Sequence, residues 1–214
     1  MSRWQPDARG RLAQAAMQLF EEQGFAATTV PEIAARAGLT TRTFFRHYAD
    51  KREVLFAYQQ ELPAVVAEVL AAAPDSMAPM DVIGAGLRTL AVERFEEQRS
   101  HFLAHRDVVR SDDGLQEREL WKRAVLGEAM RSGFLARGAD ELTAMLVAEL
   151  GVTAFSVATA RWLDDESGRP LVSHVEETLA ELAALATSAS APGSVTRTAD
   201  PRVHPGSTGR AEHL

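Results

Sequence analysis

Residues Thr28 to Leu55 read TTVPEIAARAGLTTRTFFRHYADKREVL, and this stretch constrains the chain more than any other. Thr29 followed three residues later by Glu32 has the spacing of a capping box, in which two side chains satisfy orphan amides at a helix start. A short helix from Val30 to Ala37 follows, with Ile33, Ala34 and Ala37 on one apolar face. Gly38 stops it, because glycine takes the left-handed backbone angle that helix ends often need. Thr40 is the N-cap of a second short helix, Thr41 to Tyr48. Asp50 and Glu53 repeat the capping-box spacing around Lys51, where a further helix begins.

Helix, glycine turn, helix is the arrangement that places its second helix in the DNA major groove. Phe44 and Tyr48 are four apart and share the inward face, which leaves Thr41, Arg42, Phe45 and Arg46 facing outward. Arginine reads guanine bidentately, threonine reaches a base edge or phosphate, and an aromatic ring contacts a thymine methyl. A solvated helix in an ordinary bundle would share the caps and the turn. It would not account for so many hydrogen-bonding and aromatic groups on so short a helix.

The net charge of −7 at first argues against a DNA partner. It is unevenly divided. Residues 1–60 hold eight Arg/Lys and six Asp/Glu, a net of +2, and the remainder holds fifteen and twenty-four, a net of −9. Local field, not total charge, governs phosphate contact. The absence of cysteine removes disulfides, thiol catalysis and thiolate metal sites, and fits a cytoplasmic location. No signal-peptide pattern and no apolar run long enough for a bilayer is read, so no membrane partner is expected.

The rest of the chain reads as helices, so the expected fold class is all-α. A first helix runs from Asp7 to Gln23, with Leu12, Ala16, Leu19 and Phe20 at helical spacing and Arg9 and Arg11 placed towards phosphate. The arm Met1 to Pro6, with Arg3, is expected to fray. The helix from Lys51 is expected to continue to Pro74 with a kink at Pro63, since proline removes a hydrogen bond and clashes with the preceding turn. Further helices are expected over Met80–Gln98, His101–Arg110, Leu115–Leu135, Ala139–Leu163 and Leu171–Ala186. Gly151, Ala154 and Ala158 are small enough to let helices approach closely. Thr187 to Leu214, rich in Ser, Thr, Ala, Pro and Gly, is expected to be a disordered tail carrying Arg197, Arg202 and Arg210.

The pieces A-x-x-L-F-x-x-x-G-F (Ala16–Phe25), T-T-V-x-x-I-A-x-x-A-G (Thr28–Gly38) and T-x-R-T-F-F-R-H-Y-x-x-K (Thr40–Lys51) resemble the DNA-binding domain of the TetR family of transcriptional regulators. The resemblance implies an N-terminal three-helix DNA-binding domain over 1–55, a helical ligand-binding and dimerisation domain over 56–186, and the tail. It implies that Thr41 and Arg42 face bases, and that Thr29, Thr43, His47 and Lys51 contact phosphate. Thr40 and Arg46 complete this candidate set. Phe45 stands where the family often has tyrosine, so a hydroxyl-to-phosphate bond is replaced by a ring contact. The family's last two helices form a dimer interface, which nominates Leu146, Leu150, Ala154, Val172, Val175, Leu179 and Leu182. The apolar rhythm alone is equally that of helices closing the monomer core.

The region from Met80 to Leu163 is the place for an effector pocket, since bundles hold ligands between helices. Arg94, Phe95, Phe102, His105, Trp121, Met130, Phe134 and Phe155 are the candidate lining, although core or surface packing explains each one singly. The segment RDVVRSDDGLQERELWKRAVLGEAMRSGF and the helix ending ARWLDD are similar to actinobacterial TetR regulators related to the mycofactocin regulator, which implies an acyl-CoA-like ligand. His101 and His105 are four apart on a helix but lack the further ligands a metal site needs. Neither a phosphate-binding loop, a Gly-x-Ser-x-Gly elbow nor an HExxH is present, so neither an enzyme nor a cofactor is expected. The expected function is a homodimeric repressor released from a palindromic double-stranded DNA operator by a small hydrophobic effector. The rivals are a DNA-binding dimer without an effector, and a helical enzyme or carrier with a remnant head.

Overall fold

The computed structural model describes residues 7–190, with side chains to 188; the arm Met1–Pro6 and the segment 191–214 lie outside the described residues. Among the described residues the fold is entirely helical: α1 (Ala8–Gln23), α2 (Val30–Arg36), α3 (Thr41–His47), α4 (Lys51–Leu55), α5 (Leu62–Ala72), α6 (Pro79–Leu90), α7 (Arg99–Arg110), α8 (Asp113–Ala136), α9 (Glu141–Asp164) and α10 (Leu171–Ser190). Local chemistry sets most of these starts. Asp7, Thr29, Thr40, Asp50, Asp112 and Asp140 each accept a backbone amide of the first turn of the helix they precede. The box at α2 is complete, with Glu32 returning to the Thr29 amide at 2.8 Å. The second box is only half made. Asp50 accepts from Arg52 and Glu53, but the Glu53 side chain turns away to α8.

Two apolar cores result. The head core joins Leu12, Phe20, Ile33, Phe44 and Phe56 of the N-terminal helices to Val108, Val109 and Leu115. The end of α7 and the start of α8 are therefore built into the head. The body core joins α5, α6, α8, α9 and α10 around Phe134, Trp162 and Leu171. Helix α8 passes close to α5 at Gly133, where a Cβ would lie 2.4 Å from Leu70 Cδ1. Helix α9 meets α6 at Gly151, where it would lie 2.9 Å from Ile83 Cδ1. Arg137 ties off α5 by donating to the carbonyls of Leu70, Ala73 and Pro74, each at 2.8 Å.

Several expectations are corrected. The helix after Lys51 does not run to a kink at Pro63. It stops at Phe56, which is fully buried in the head core, passes through a 3-10 turn (Ala57–Gln60), and α5 starts afresh with Pro63 in its first turn, where its missing N–H is no loss. Helix α6 ends at Leu90 and gives way to a π turn, Ala91–Phe95. Helix α10 continues through Thr187 to Ser190, into the stretch read as tail. Contrary to the sequence reading, α9 is long and apolar enough, by length and composition, to cross a bilayer. It packs between α8 and α10, and carries Glu149 near its middle. A carboxylate at mid-bilayer costs about 2.5–3.5 kcal/mol, so the helix is better suited to protein neighbours than to lipid.

Candidate DNA-binding surface and effector cavity

The head presents α3 outward. Phe44 is fully buried and Tyr48 nearly so, its hydroxyl donating to the Arg9 carbonyl at 3.0 Å. This fixes the helix rotation and leaves Thr41, Arg42, Phe45 and Arg46 exposed. Phe45 is 58% exposed while its ring meets that of Phe44 edge-on. A phenyl ring in that position has lost little water and has apolar area to give to a partner. Among the described residues Arg42 makes no hydrogen bond or ion pair, so its five donors are available. Thr40 and Thr43 are occupied with each other, their hydroxyls 3.0 Å apart. His47 is half-buried, its Nε2 3.4 Å from Arg46.

Four residues expected at phosphate are engaged inside the protein. Lys51 donates to the carbonyls of Phe25, Ala26 and Thr28 at 2.7, 3.3 and 2.9 Å, and its ammonium lies 4.3 Å from the centre of the Phe25 ring. Partial burial lowers its pKa. An ammonium has three donors, and here all are taken by the α1–α2 turn, so Lys51 serves in this structure as a structural tie and would have to give up these bonds to reach phosphate. Arg9 is likewise bound to Gln60 and the Ala57 carbonyl, and Arg11 donates to the Ala37 carbonyl. The Thr29 hydroxyl donates to Glu32 at 2.7 Å, so a phosphate there would have to displace a carboxylate.

In the body, a cavity of about 550 Å³ lies between the 3-10 turn and α7, α8 and α9. It gathers Phe95, Phe102, His105, Trp121 and Phe155 from the expected set. A smaller cavity of about 230 Å³ between α5 and α6 gathers Arg94, Met130 and again Phe155. Leu62, Leu126 and Phe155 are common to both walls. Phe134 lines neither; it is 1% exposed and belongs to the body core, because α8 turns that face towards α5 and α9. Tyr58 was not foreseen. Its ring meets Phe102 and His105 edge-on at 5.2 Å, and it comes from the 3-10 turn that the Pro63 kink had concealed.

His105 is 3% exposed, and burial drives its pKa down to about 3, so the ring is neutral. Its Nε2, the Arg106 Nε and the Thr159 hydroxyl are buried without a hydrogen-bond partner, and all three residues line the larger cavity. Buried polar atoms normally have partners, so this wall is prepared for a polar group inside it. The charged lining is Arg106, Arg110, Lys122 and Arg123 against the single acid Glu119. Among the described residues no group of three or more His, Asp or Glu is arranged to hold a metal.

The expected dimer residues divide into two sets. Ala154 and Val175 are 1% exposed and lie within the chain's own core, with Val172, Leu179 and Leu182 packed against it. Leu146 and Leu150 point outward, 51% and 37% exposed, and they are joined on the same helix by Leu142, Met145 and Val157.

Residues 12–58 match the family described as bacterial regulatory proteins, tetR family. The chain is 28% identical over 173 residues to the probable HTH-type transcriptional regulator ArpR of Pseudomonas putida, covering 78% of this chain and 81% of ArpR. It is 32% identical over 82 residues to the HTH-type transcriptional regulator TcmR of Streptomyces glaucescens, covering 38% of this chain and only 36% of TcmR. Among solved structures it is similar to Thermus thermophilus FadR, a TetR family transcriptional repressor in complex with lauroyl-CoA, with 26% identity, a TM-score of 0.54, and coverage of 82% of this chain and 93% of FadR. The head thus matches the TetR-family DNA-binding domain, and the chain as a whole is similar in sequence and fold to transcriptional regulators that carry it.

Proposed function

We propose that this protein is a cytoplasmic, homodimeric repressor that reads a palindromic operator and is released from it by a small amphipathic effector. The observation that carries the reading is the outward face of α3, where Thr41, Arg42, Phe45 and Arg46 are exposed on a helix fixed by Phe44 and Tyr48. Arg42, and Thr41 beside it, read base edges; Thr43 and His47, at the rim, are nearest to phosphate. Two copies present two such helices about one helical turn of DNA apart. The dimer forms through the outward stripe of α9, Leu142, Met145, Leu146, Leu150 and Val157, since contiguous exposed apolar area of this kind marks a partner surface.

The effector occupies the larger cavity. Support for an acyl thioester comes from FadR, similar over most of the chain and complexed with lauroyl-CoA, and from the mixture of aromatic walls with unpartnered polar atoms. The effector favours a body conformation in which the two heads no longer match the operator spacing.

The test is selection of bound sequences from a random DNA pool, followed by titration of the selected operator with Arg42→Ala. Removing one bidentate base contact should weaken binding by about 1–3 kcal/mol and relax preference at one base pair. Unchanged affinity and preference for Arg42→Ala would overturn the base-reading role.

A further inference from the structure

The wall of the larger cavity is bonded directly to the head. Gln60 and Lys122 both line the cavity, and both donate to Oε2 of Glu53 on α4, at 3.1 and 3.3 Å. The carbonyl oxygen of the Gln60 amide accepts from Arg9 on α1. The other Glu53 oxygen accepts from Arg118, through Nε at 2.9 Å and also through Nη2. Arg118 and Lys122 lie over the ring of Trp121, at 4.6 and 5.4 Å, and Trp121 lines the same cavity.

Of the two cations that hold Glu53, Lys122 also faces the cavity, while Arg118 stands outside its lining. The Glu53 side chain is 14% exposed and that of Lys122 is 11% exposed. A carboxylate so far out of water that loses one of its two cations must find solvent or another partner for the oxygen left bare. Two of the remaining cavity cations are already paired with other acids. Arg106 pairs with Asp164 at 2.6 Å, and Arg123 with Glu119 at 3.5 Å.

We infer that the effector is an amphipathic anion whose negative group takes Lys122 and Gln60 away from Glu53, and that this exchange loosens α4 from α8. The inference rests on the cavity being the effector site, as proposed above. The apolar part of the ligand passes Leu62, Leu126 and Phe155 into the smaller cavity, walled by Val65, Val69 and Leu87. With Lys122 and Gln60 withdrawn, Arg118 alone holds Glu53 to the start of α8, beside the apolar contact at Val108, Val109 and Leu115, so the tie between head and body is weakened. Carboxylate and phosphate both satisfy this chemistry, so a free fatty acid and an acyl-CoA are distinguished by the probes.

The experiment uses the full-length protein and three probes with the same twelve-carbon tail: laurate, lauroyl-CoA and 1-dodecanol. Affinity is read by calorimetry and operator release by fluorescence anisotropy. Laurate or lauroyl-CoA should bind at least about tenfold more tightly than dodecanol, the effect of a charge-assisted contact. Whichever anion binds more tightly identifies the headgroup, and either supports the exchange. Glu53→Gln frees Lys122 of its competitor, so it should tighten the anions several-fold and leave dodecanol unchanged. Lys122→Met should abolish the preference for anions, and stands alone as the test should Glu53→Gln not fold. Equal binding and release by dodecanol would overturn the exchange while leaving an effector site in place. Unaltered anion affinity in folded Glu53→Gln would overturn it as well. If none of the three probes binds, the effector reading itself fails.

Discussion

Replacing Lys51 with methionine separates a structural tie from a phosphate contact at a position where the family resemblance and the structure disagree. The side chain joins α4 to the α1–α2 turn through carbonyls 26, 25 and 23 residues away in sequence, at 2.7, 3.3 and 2.9 Å. Two of these distances are those of good hydrogen bonds and the third is long. Two charge-assisted bonds at a half-exposed site, with the contact to the Phe25 ring, amount to about 2–3 kcal/mol. Methionine keeps the apolar stem and removes the donors. For a chain of this size, thermal unfolding should then fall by about 4–12 °C. Operator affinity should drop only as far as the α2–α3 unit is loosened. The discriminating assay is the dependence of operator binding on salt between 50 and 200 mM. A lost phosphate contact lowers the slope of log K against log salt by about 0.9, whereas loss of an internal tie leaves it unchanged. A Lys51→Met protein as stable as the parent, with the slope reduced by about 0.9, would refute the argument.

Two further predictions test the body. His105 has a folded pKa of about 3, below its ordinary 6.5. Its contribution to stability is therefore complete above pH 6.5 and is lost as pH falls towards 3, at about 1.4 kcal/mol per pH unit, because only the unfolded chain takes up the proton. His105→Phe, which retains an aromatic ring against Phe56 and Tyr58, should flatten the decline in stability measured by urea unfolding between pH 6.5 and 5; parallel curves would refute neutral burial. Leu146→Glu together with Leu150→Glu should shift the protein to monomer by sedimentation and weaken binding to a two-half-site operator far more than to a single half-site. A stable dimer in that double variant would move the interface elsewhere.

The helix starts of the head were legible because capping is local. A hydroxyl or carboxylate and the amide it accepts are three residues apart, and Thr29 and Thr40 cap as their spacing says, while Asp50 caps without the return bond from Glu53. The outward face of α3 was legible for the same reason, once Phe44 and Tyr48 are taken as inward. Periodicity also identified α9 and α10 as apolar helices, but not which apolar residues face whom. Leu146 and Ala154 lie on one helix, and only the positions of α6, α8 and α10 around it bury the second and expose the first.

Long-range pairing was beyond reach altogether. Lys51, Arg9 and Glu53 are ordinary charged residues in sequence. Arg9 meets Gln60 fifty-one residues away, and Glu53 meets Arg118 and Lys122 sixty-five and sixty-nine residues away. The sequence by itself determined an all-helical chain with a DNA-reading head, since caps, turns and helical periods act within a few residues. Only the tertiary structure decided which charges are committed inside the protein, which remain free for DNA, and where the cavity is tied to the head. Those outcomes depend on desolvation and on partners brought together by folding, and no local spacing encodes them.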